Sequence, residues 1–201
     1  MINNYIFDFG NVLAEFYPDQ LTAPFVQEPK LRKRISEIVF DRLYWDQLDD
    51  GSITDNRVKA GIRSRVSDEY VELACTVYDN WVKSLTPVVG MVQLISDICK
   101  TDKKLYLLSN ISIGFANTYG EVPWIKDLFS AFDGLVFSGP IGLVKPDKKI
   151  FEYLLNQFDL KAEECLFIDD APKNIVGAKK VGICGYLFDG DAERLRRYLD
   201  L

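Results

Sequence analysis

The sequence contains no histidine among its 201 residues. Without an imidazole, Ser-His-Asp and Cys-His catalysis are excluded, and most zinc hydrolases would lack their usual ligands. Cysteine does not replace it, because the four cysteines are widely spaced and form no C-x-x-C pair, which argues against a zinc site or a disulfide framework. We interpret them as ordinary buried thiols; they are Cys75, Cys99, Cys165 and Cys184.

Long apolar runs and an excess of positive charge are also missing. No stretch approaches the roughly 20 apolar residues that a membrane span needs, and the opening run is too short and lacks the basic leader of a signal peptide. The formal net charge is −6, which disfavours binding to a phosphate backbone. We interpret the basic run at residues 30–34 as a solvated helix face. These features predict a cytoplasmic monomer or homodimer with no nucleic-acid or membrane partner.

Short apolar runs rich in β-branched and aromatic residues predict five strands, buried on both faces. They are Tyr5–Phe7, Leu105–Leu108, Leu135–Phe137, Cys165–Ile168 and Tyr186–Phe188. Segments with helical spacing lie between the later runs, and helices are predicted to begin at Pro87 and at Pro146-Asp147. Their predicted faces are Val88, Val92, Ile95 and Cys99 in one helix, and Ile150, Phe151, Leu154, Leu155 and Phe158 in the other. Alternating strands and helices predict an α/β fold with a doubly wound parallel sheet.

The connection between the first two predicted strands is far longer than a crossover requires. Its residues show helical spacing, and prolines interrupt only its early part. We therefore predict a small helical domain at residues 15–86, inserted into an α/β core made of residues 1–14 and 87–201.

Polar side chains follow four of the predicted strands at their carboxyl ends. Asp8 ends the first strand, Ser109-Asn110 the second and Asp169-Asp170 the fourth, and Lys145 lies in the loop after the third. Each could be only a cap or a turn former. Because ligands of parallel sheets bind outside the carboxyl ends of the strands, we expect all of these groups to meet at one edge.

Three carboxylates in one place would repel each other unless cations separated them; at 5 Å and an effective dielectric constant of 20, each pair costs about 3 kcal/mol. Lys145 supplies one positive charge, and a divalent ion would supply the rest. Oxygen ligands without histidine or cysteine suit Mg²⁺, which completes its shell with water and a substrate phosphate. Asp8 can then be the nucleophile, while Ser109, Asn110 and Lys145 bind the phosphoryl group.

Four motifs in this order resemble those of the haloacid dehalogenase superfamily: D-F-G-N-V at Asp8, L-L-S-N ending at Asn110, V-K-P-D containing Lys145, and F-I-D-D-A-P-K-N from Phe167. The resemblance spans the chain and implies a Rossmann-like core with a helical cap after the first strand. It implies an aspartyl-phosphate mechanism with Mg²⁺ bound by Asp8, the Gly10 carbonyl and the Asp169-Asp170 pair. Asp170 would be the direct ligand and Asp169 its support, with Asn174 in the same loop.

The sequence departs from this pattern at Gly10. Phosphatases of the superfamily usually carry a second Asp there, which protonates the leaving group and then activates water. A general acid or base contributes about 10²–10⁴ in rate, so we predict a working but slow phosphatase, similar to a sugar-phosphate phosphatase subgroup with D-x-G-N. Such an enzyme would either be limited to substrates with good leaving groups or take the proton from a cap residue or water.

Alternative functions remain open at this stage. They are a phospho-ligand binding protein without turnover, a haloacid dehalogenase that uses Asp8 on carbon without Mg²⁺, and a phospho-accepting receiver. The cap would choose the substrate. Candidate cap residues are Tyr44, Trp45 and Asp46, which precede a turn-like segment at residues 49–52, and Glu15 and Phe16 as hinge or pocket residues.

Overall fold

A computed structural model describes residues 1–201 as an α/β fold. Five parallel strands form one sheet in the order β3-β2-β1-β4-β5. The strands are β1 (Asn4–Phe7), β2 (Lys104–Ser109), β3 (Gly134–Phe137), β4 (Cys165–Asp169) and β5 (Cys184–Leu187). The chain passes from β1 outward to β2 and β3, and then returns to the other side of β1 for β4 and β5. This reversal makes the carboxyl end of β1 the switch point of a doubly wound sheet, as the sequence predicted.

Twelve α-helices accompany the sheet. Six lie between β1 and β2: α1 (Pro18–Thr22), α2 (Pro29–Val39), α3 (Arg42–Asp49), α4 (Asp55–Arg63), α5 (Val71–Asn80) and α6 (Met91–Ile98). Six follow β2: α7 (Ile113–Thr118), α8 (Pro123–Phe129), α9 (Ser138–Ile141), α10 (Lys148–Gln157), α11 (Pro172–Lys179) and α12 (Ala192–Leu199). None of them combines the length and the apolarity that a bilayer crossing would require.

The side chains of successive residues in β1, β2, β3 and β4 point to opposite faces of the sheet and pack into two separate hydrophobic clusters. Ile6 and Phe167 point to a cluster that includes α10 and α11, whereas Tyr5 and Phe7 point to a larger cluster on the opposite face. The larger cluster continues into the helices between β1 and β2. Burial on both faces explains why the central strands are apolar at every position.

The inserted helical segment, residues 15–86, leaves the sheet and returns to it at neighbouring points. The N–H of Glu15 donates to the carbonyl of Thr86 at 2.8 Å, and the N–H of Val88 donates to the carbonyl of Leu13 at 3.0 Å. The two connecting strands therefore run side by side. This pairing anchors the segment directly behind the end of β1.

Two helix predictions had different outcomes. Asp147 caps α10 by accepting the N–H of Lys149 at 3.0 Å, which confirms the predicted start of that helix. The predicted start at Pro87 is wrong, because Gly90 adopts a left-handed conformation (φ 83°) and α6 begins only at Met91. Its buried residues are Met91, Leu94, Ile95 and Ile98, and the predicted members Val92 and Cys99 are exposed.

The prediction of strands buried on both faces is wrong at the sheet edges. β5 is an edge strand with no residue fully buried, it ends at Leu187 before the predicted Phe188, and the other edge strand, β3, buries only Val136. Cys184 on β5 and Cys99 after α6 are exposed, so only Cys75 and Cys165 fit the interpretation of buried thiols. Apolar composition alone does not distinguish an edge strand from a central one.

Candidate active site

Asp8 lies where β1 ends and the sheet reverses its direction of growth. Its Oδ1 accepts hydrogen bonds from the N–H of Phe9 at 2.7 Å and from the Nζ of Lys145 at 2.7 Å. Its Oδ2 accepts no hydrogen bond from the protein. One oxygen therefore fixes the carboxylate, and the other remains available for a metal ion or a reacting group.

Lys145 joins Asp8 to Asp169 beneath the cavity. The Nζ of Lys145 lies 2.8 Å from the Oδ2 of Asp169, and both side chains are buried. Asp169 also accepts hydrogen bonds from the N–H of Ala171 at 2.8 Å and from the Nδ2 of Asn174 at 3.0 Å. All of these contacts are internal, so Asp169 orients Lys145 and Asn174.

The charges of this group do not balance. Burial raises the pKa of Asp8; the positive charge of Lys145 opposes this shift, and the nearby Asp169 adds to it. Burial also disfavours the charged form of Lys145, but the two adjacent carboxylates outweigh it and raise the pKa of Lys145. The lysine therefore stays charged while it forms ion pairs with both Asp8 and Asp169. Because one positive charge faces more than one carboxylate, the site retains an excess of negative charge that attracts a further cation.

A third acid completes a cluster that could hold a metal ion. Carboxylate oxygens of Asp8, Asp169 and Asp170 lie within 4.8 Å of one another. The Nδ2 of Asn11 donates to the Oδ2 of Asp170 at 3.4 Å, and burial, followed by the charge of Asp169, raises the pKa of Asp170. A cation at this place would stabilise the charged forms of Asp8 and Asp170, which burial and the neighbouring Asp169 both disfavour.

The donor set fits a hard divalent cation such as Mg²⁺. Every ligand atom offered is an oxygen, as Mg²⁺ prefers. The Oδ1 of Asn174 is buried without a hydrogen-bond partner, which is unusual for a buried polar atom. Because Asn174 lines the same cavity, this unpaired acceptor is suited to a water molecule of a hydrated ion.

Ser109 and Asn110 end β2 beside this cluster. The side chain of Asn110 forms two hydrogen bonds with the backbone of Lys145: its Nδ2 donates to the carbonyl at 3.0 Å, and its Oδ1 accepts from the N–H at 2.8 Å. Asn110 thus fixes the loop that carries the lysine. One Nδ2 proton remains free for a ligand. Ser109 makes no side-chain hydrogen bond within the protein and also lines the cavity.

A cavity of about 230 Å³ lies above these groups, between the sheet edge and the inserted helical segment. Six of the seven site residues predicted from the sequence line it, and Asp169 lies directly behind them. The inserted segment contributes an aromatic wall of Phe16, Trp45 and Trp81, whose ring centroids lie 5.1 to 5.7 Å apart. The indole N–H of Trp45 donates to the carbonyl of Val39, which leaves this wall largely apolar.

The position of Gly10 is open. A Cβ atom built at Gly10 would meet only the Cβ of Phe16, at 3.9 Å, which is an ordinary contact. The residue therefore lines the cavity without a side chain, although a Cβ atom would fit. No group at this position can exchange a proton with a substrate.

The candidate residues of the inserted segment divide into two groups. Phe16 and Trp45 line the cavity. The others face elsewhere: Tyr44 packs under the guanidinium of Arg65, Asp46 pairs with Arg42 at 2.6 Å on the surface, and Glu15 accepts from the hydroxyl of Thr86.

Sequence reasoning missed two residues of the site. Asn11, in a left-handed conformation (φ 55°), accepts the N–H of Phe16 and orients Asp170. Asp49 was interpreted as part of a turn but is the last residue of α3, is buried and lines the cavity. Its spacing of four residues from Trp45 was the available signal, because residues i and i+4 share a helix face.

Comparison with known proteins places the chain in a family. Residues 2–182 match the family model of the haloacid dehalogenase-like hydrolases. The chain belongs to this family, and the fold and the order of the strand-end motifs agree with that assignment.

Individual relatives are distant but cover almost the whole chain. The sesquiterpene phosphatase astK of Aspergillus oryzae is 26% identical over 90% of this chain and 86% of its own length. The D-ribitol-5-phosphate phosphatase of Bacteroides thetaiotaomicron is 24% identical over 90% of this chain and 89% of its own. Among solved structures, a haloacid dehalogenase family enzyme of B. thetaiotaomicron, in complex with magnesium and inorganic phosphate, has a TM-score of 0.72 at 23% identity, covering 97% of this chain and 99% of its own.

Proposed function

We propose that this hydrolase is a Mg²⁺-dependent phosphatase that cleaves a small phosphorylated metabolite through an aspartyl-phosphate on Asp8. One observation carries the proposal: Asp8 is held by a single oxygen against Lys145, within a cluster of three acids, at the floor of a cavity. This arrangement positions a carboxylate nucleophile and leaves one of its oxygens free. It matches the carboxylate route of covalent catalysis, which needs no histidine.

Each residue has a role in this reaction. Asp8 attacks phosphorus, while Lys145 neutralises charge on both the nucleophile and the phosphoryl group. Ser109 and the free Nδ2 proton of Asn110 donate to phosphoryl oxygens. Asp8, Asp170 and the Gly10 carbonyl would hold Mg²⁺, with Asp169 as support. When bound, the ion would neutralise charge on the phosphate.

The inserted helical segment acts as a cap over the cavity, with residues 15–86 as its bounds. Its paired connections at Glu15 and Val88 keep it next to Asp8, and its aromatic wall excludes water from the reacting groups. The two phosphatase relatives are named for different substrates, a sesquiterpene compound and a polyol phosphate. The apolar wall could contact a prenyl chain or one face of a sugar, so both substrate classes are to be tested.

The test is a phosphate-release screen with Mg²⁺ over sugar, polyol and prenyl phosphates. We expect release from at least one class, its loss in EDTA, and its recovery on adding Mg²⁺. Asp8→Asn should lower the rate by more than about 10⁴-fold, because it removes the nucleophile. The matched control is Asp147→Asn, a helix-capping residue outside the cavity.

Other outcomes would select the alternative functions. Tight binding of a phosphorylated compound without release, in both the wild type and Asp8→Asn, would indicate a binding protein; the missing side chain at Gly10 is the observation that favours it. Halide release that persists in EDTA would indicate a dehalogenase. Stable phosphorylation of Asp8 without turnover would indicate a phospho-acceptor.

A further inference from the structure

Cleaving a phosphate ester leaves an alkoxide oxygen that needs a proton, and Gly10 cannot supply one. Apart from Lys145 and the acidic cluster, the titratable residues that line the cavity are Arg42, Asp49 and Lys173. Asp49 is the only carboxyl among these three. It also belongs to the inserted helical segment and not to the sheet edge that carries the nucleophile.

Asp49 differs from every other acid of the site in its surroundings. It is 9% exposed, and neither of its carboxylate oxygens accepts a hydrogen bond or forms an ion pair within the protein. Asp46, one helical turn earlier, is exposed and pairs with Arg42. A buried carboxyl without a partner is costly to maintain as a structural residue, whereas an unpaired oxygen beside a cavity is available to a ligand.

The end of α3 is fixed to the core at the reacting site. The fully buried hydroxyl of Ser138 donates to the backbone carbonyl of Asp49 at 2.5 Å and accepts the N–H of Ile111 at 2.8 Å. Gly51 lies so close to the core that a Cβ atom there would be 2.4 Å from the carbonyl oxygen of Gly139. The position of Asp49 is thus tied to the loop that follows Ser109-Asn110.

We propose that Asp49 is the proton donor to the leaving-group oxygen, in place of the acid that position 10 lacks. This inference rests on the proposed phosphatase function. Asp8 forms a bond to phosphorus as the bond to the ester oxygen breaks, and that oxygen takes the proton of the Asp49 carboxyl and leaves as an alcohol. In the second step a water oxygen forms a bond to phosphorus as the bond between Asp8 and phosphorus breaks; the Asp49 carboxylate takes the proton of this water, phosphate is released and Asp8 is regenerated as a carboxylate.

The protonation state of Asp49 suits this role. Burial raises the pKa of Asp49 to about 8. Four charged groups face it: Arg42 and Lys145 lower the pKa, whereas Asp46 and Asp8 raise it. The carboxyl therefore carries its proton at neutral pH. A pKa near the working pH is the optimum for a group that first donates and then accepts a proton.

The experiment compares two leaving groups. The best alkyl phosphate found in the release screen needs a proton donor, whereas p-nitrophenyl phosphate has a stabilised leaving group that needs little help. We expect Asp49→Asn to lower kcat/KM by about 10²–10⁴-fold on the alkyl phosphate and by far less on p-nitrophenyl phosphate. Asp68→Asn is the matched control, because Asp68 is an exposed acid of the same inserted helical segment that does not line the cavity, and it should match the wild type on both.

Two further measurements sharpen the result. With the alkyl substrate, the wild-type rate should fall as pH rises through about 8, and Asp49→Asn should lose this decline. Adding Gly10→Asp to Asp49→Asn should restore much of the alkyl phosphatase activity, because a Cβ atom at Gly10 makes only an ordinary contact and the new carboxyl would replace the missing proton donor. Thermal unfolding checks that each variant is folded.

The outcomes separate the two proposals. If the wild type releases no phosphate from either substrate, the phosphatase proposal fails and this inference fails with it. If the wild type is active and Asp49→Asn loses activity equally on both substrates, Asp49 only positions the cap. An active wild type whose alkyl phosphatase activity is unaffected by Asp49→Asn, or a folded double variant that regains none, would also overturn the role of Asp49.

Discussion

Asp8 and Asp49 are the same residue type and are almost equally buried, at 8% and 9% exposure. They lie in two regions that differ in the partners they offer to a carboxyl group. Asp8, on the sheet edge, has a lysine nitrogen at 2.7 Å. Asp49, on the inserted helical segment, has no hydrogen-bonded partner. Burial raises the pKa of both. The sheet edge opposes this shift with a cation in direct contact with Asp8, whereas Arg42 and Lys145 lower the pKa of Asp49 without forming an ion pair with it.

The difference separates two chemical tasks. A nucleophile must be ionised, so it needs a neighbouring positive charge, whereas a proton donor must stay neutral, so it needs an apolar site. In the proposed mechanism the core provides the first environment and the inserted helical segment provides the second. The pKa is raised less for Asp8, to about 7, than for Asp49, to about 8, in the direction that these tasks require.

Removing the cation at the sheet edge should have the largest effect on stability. Lys145→Met leaves Asp8 and Asp169 buried without their common partner, and breaking such a buried pair costs about 3–5 kcal/mol. Urea unfolding measures the loss. Lys148→Met, which removes an exposed i,i+4 pair with Glu152, should change stability by less than about 0.5 kcal/mol. Equal effects of the two variants would contradict the difference in burial.

Removing the acid of the inserted helical segment, Asp49, should increase stability, in contrast to the loss expected for Lys145→Met. The pKa of Asp49 is 3.8 in its reference state and about 8 in the folded protein, so the folded state binds the extra proton between these values. Stability from this residue therefore falls as pH rises from about 4 to about 8. Asp49→Asn should be more stable than the wild type at pH 9 by a few kcal/mol, and less so at pH 5. A stability difference that stays constant between pH 5 and pH 9 would show that Asp49 is ionised in the folded protein.

Loosening the contact between the two regions should have a smaller effect. Ser138→Ala leaves the carbonyl of Asp49 and the N–H of Ile111 without a shared partner, which costs about 1–3 kcal/mol. Ser130→Ala, which removes only a local bond on an exposed turn, is the control. If α3 is held here as the structure indicates, Ser138→Ala should also lower the alkyl phosphatase rate more than the p-nitrophenyl rate.

The sequence alone determined the fold class and the gathering of the strand-end residues. Five apolar runs separated by helical spacing leave few topologies besides a doubly wound parallel sheet, which is confirmed. In such a sheet the carboxyl ends share one edge, so Asp8 and Asp170, at the ends of the neighbouring strands β1 and β4, meet there. Lys145 reaches them because Asn110 binds the backbone of its loop.

Local patterns failed where exposure depended on distant parts of the chain. The apolar run of β5 does not reveal that the strand lies at an edge, and helical spacing from Val88 does not reveal that Gly90 delays the start of α6. The first depends on which strands pair with β5, and that information lies outside the segment. The second combines the local left-handed conformation of Gly90 with its close approach to Ala192 of α12.

Asp49 is the clearest case of a property that only the tertiary structure decided. In the sequence it opens D-D-G-S, a typical turn, and its four-residue spacing from Trp45 is the one local sign of a shared helix face. Its burial arises because Ser138, which is 89 residues away, binds its backbone carbonyl and brings the end of α3 against the loop after β2. A carboxyl changes its protonation state through its surroundings, and those surroundings are assembled only when the inserted helical segment packs on the core.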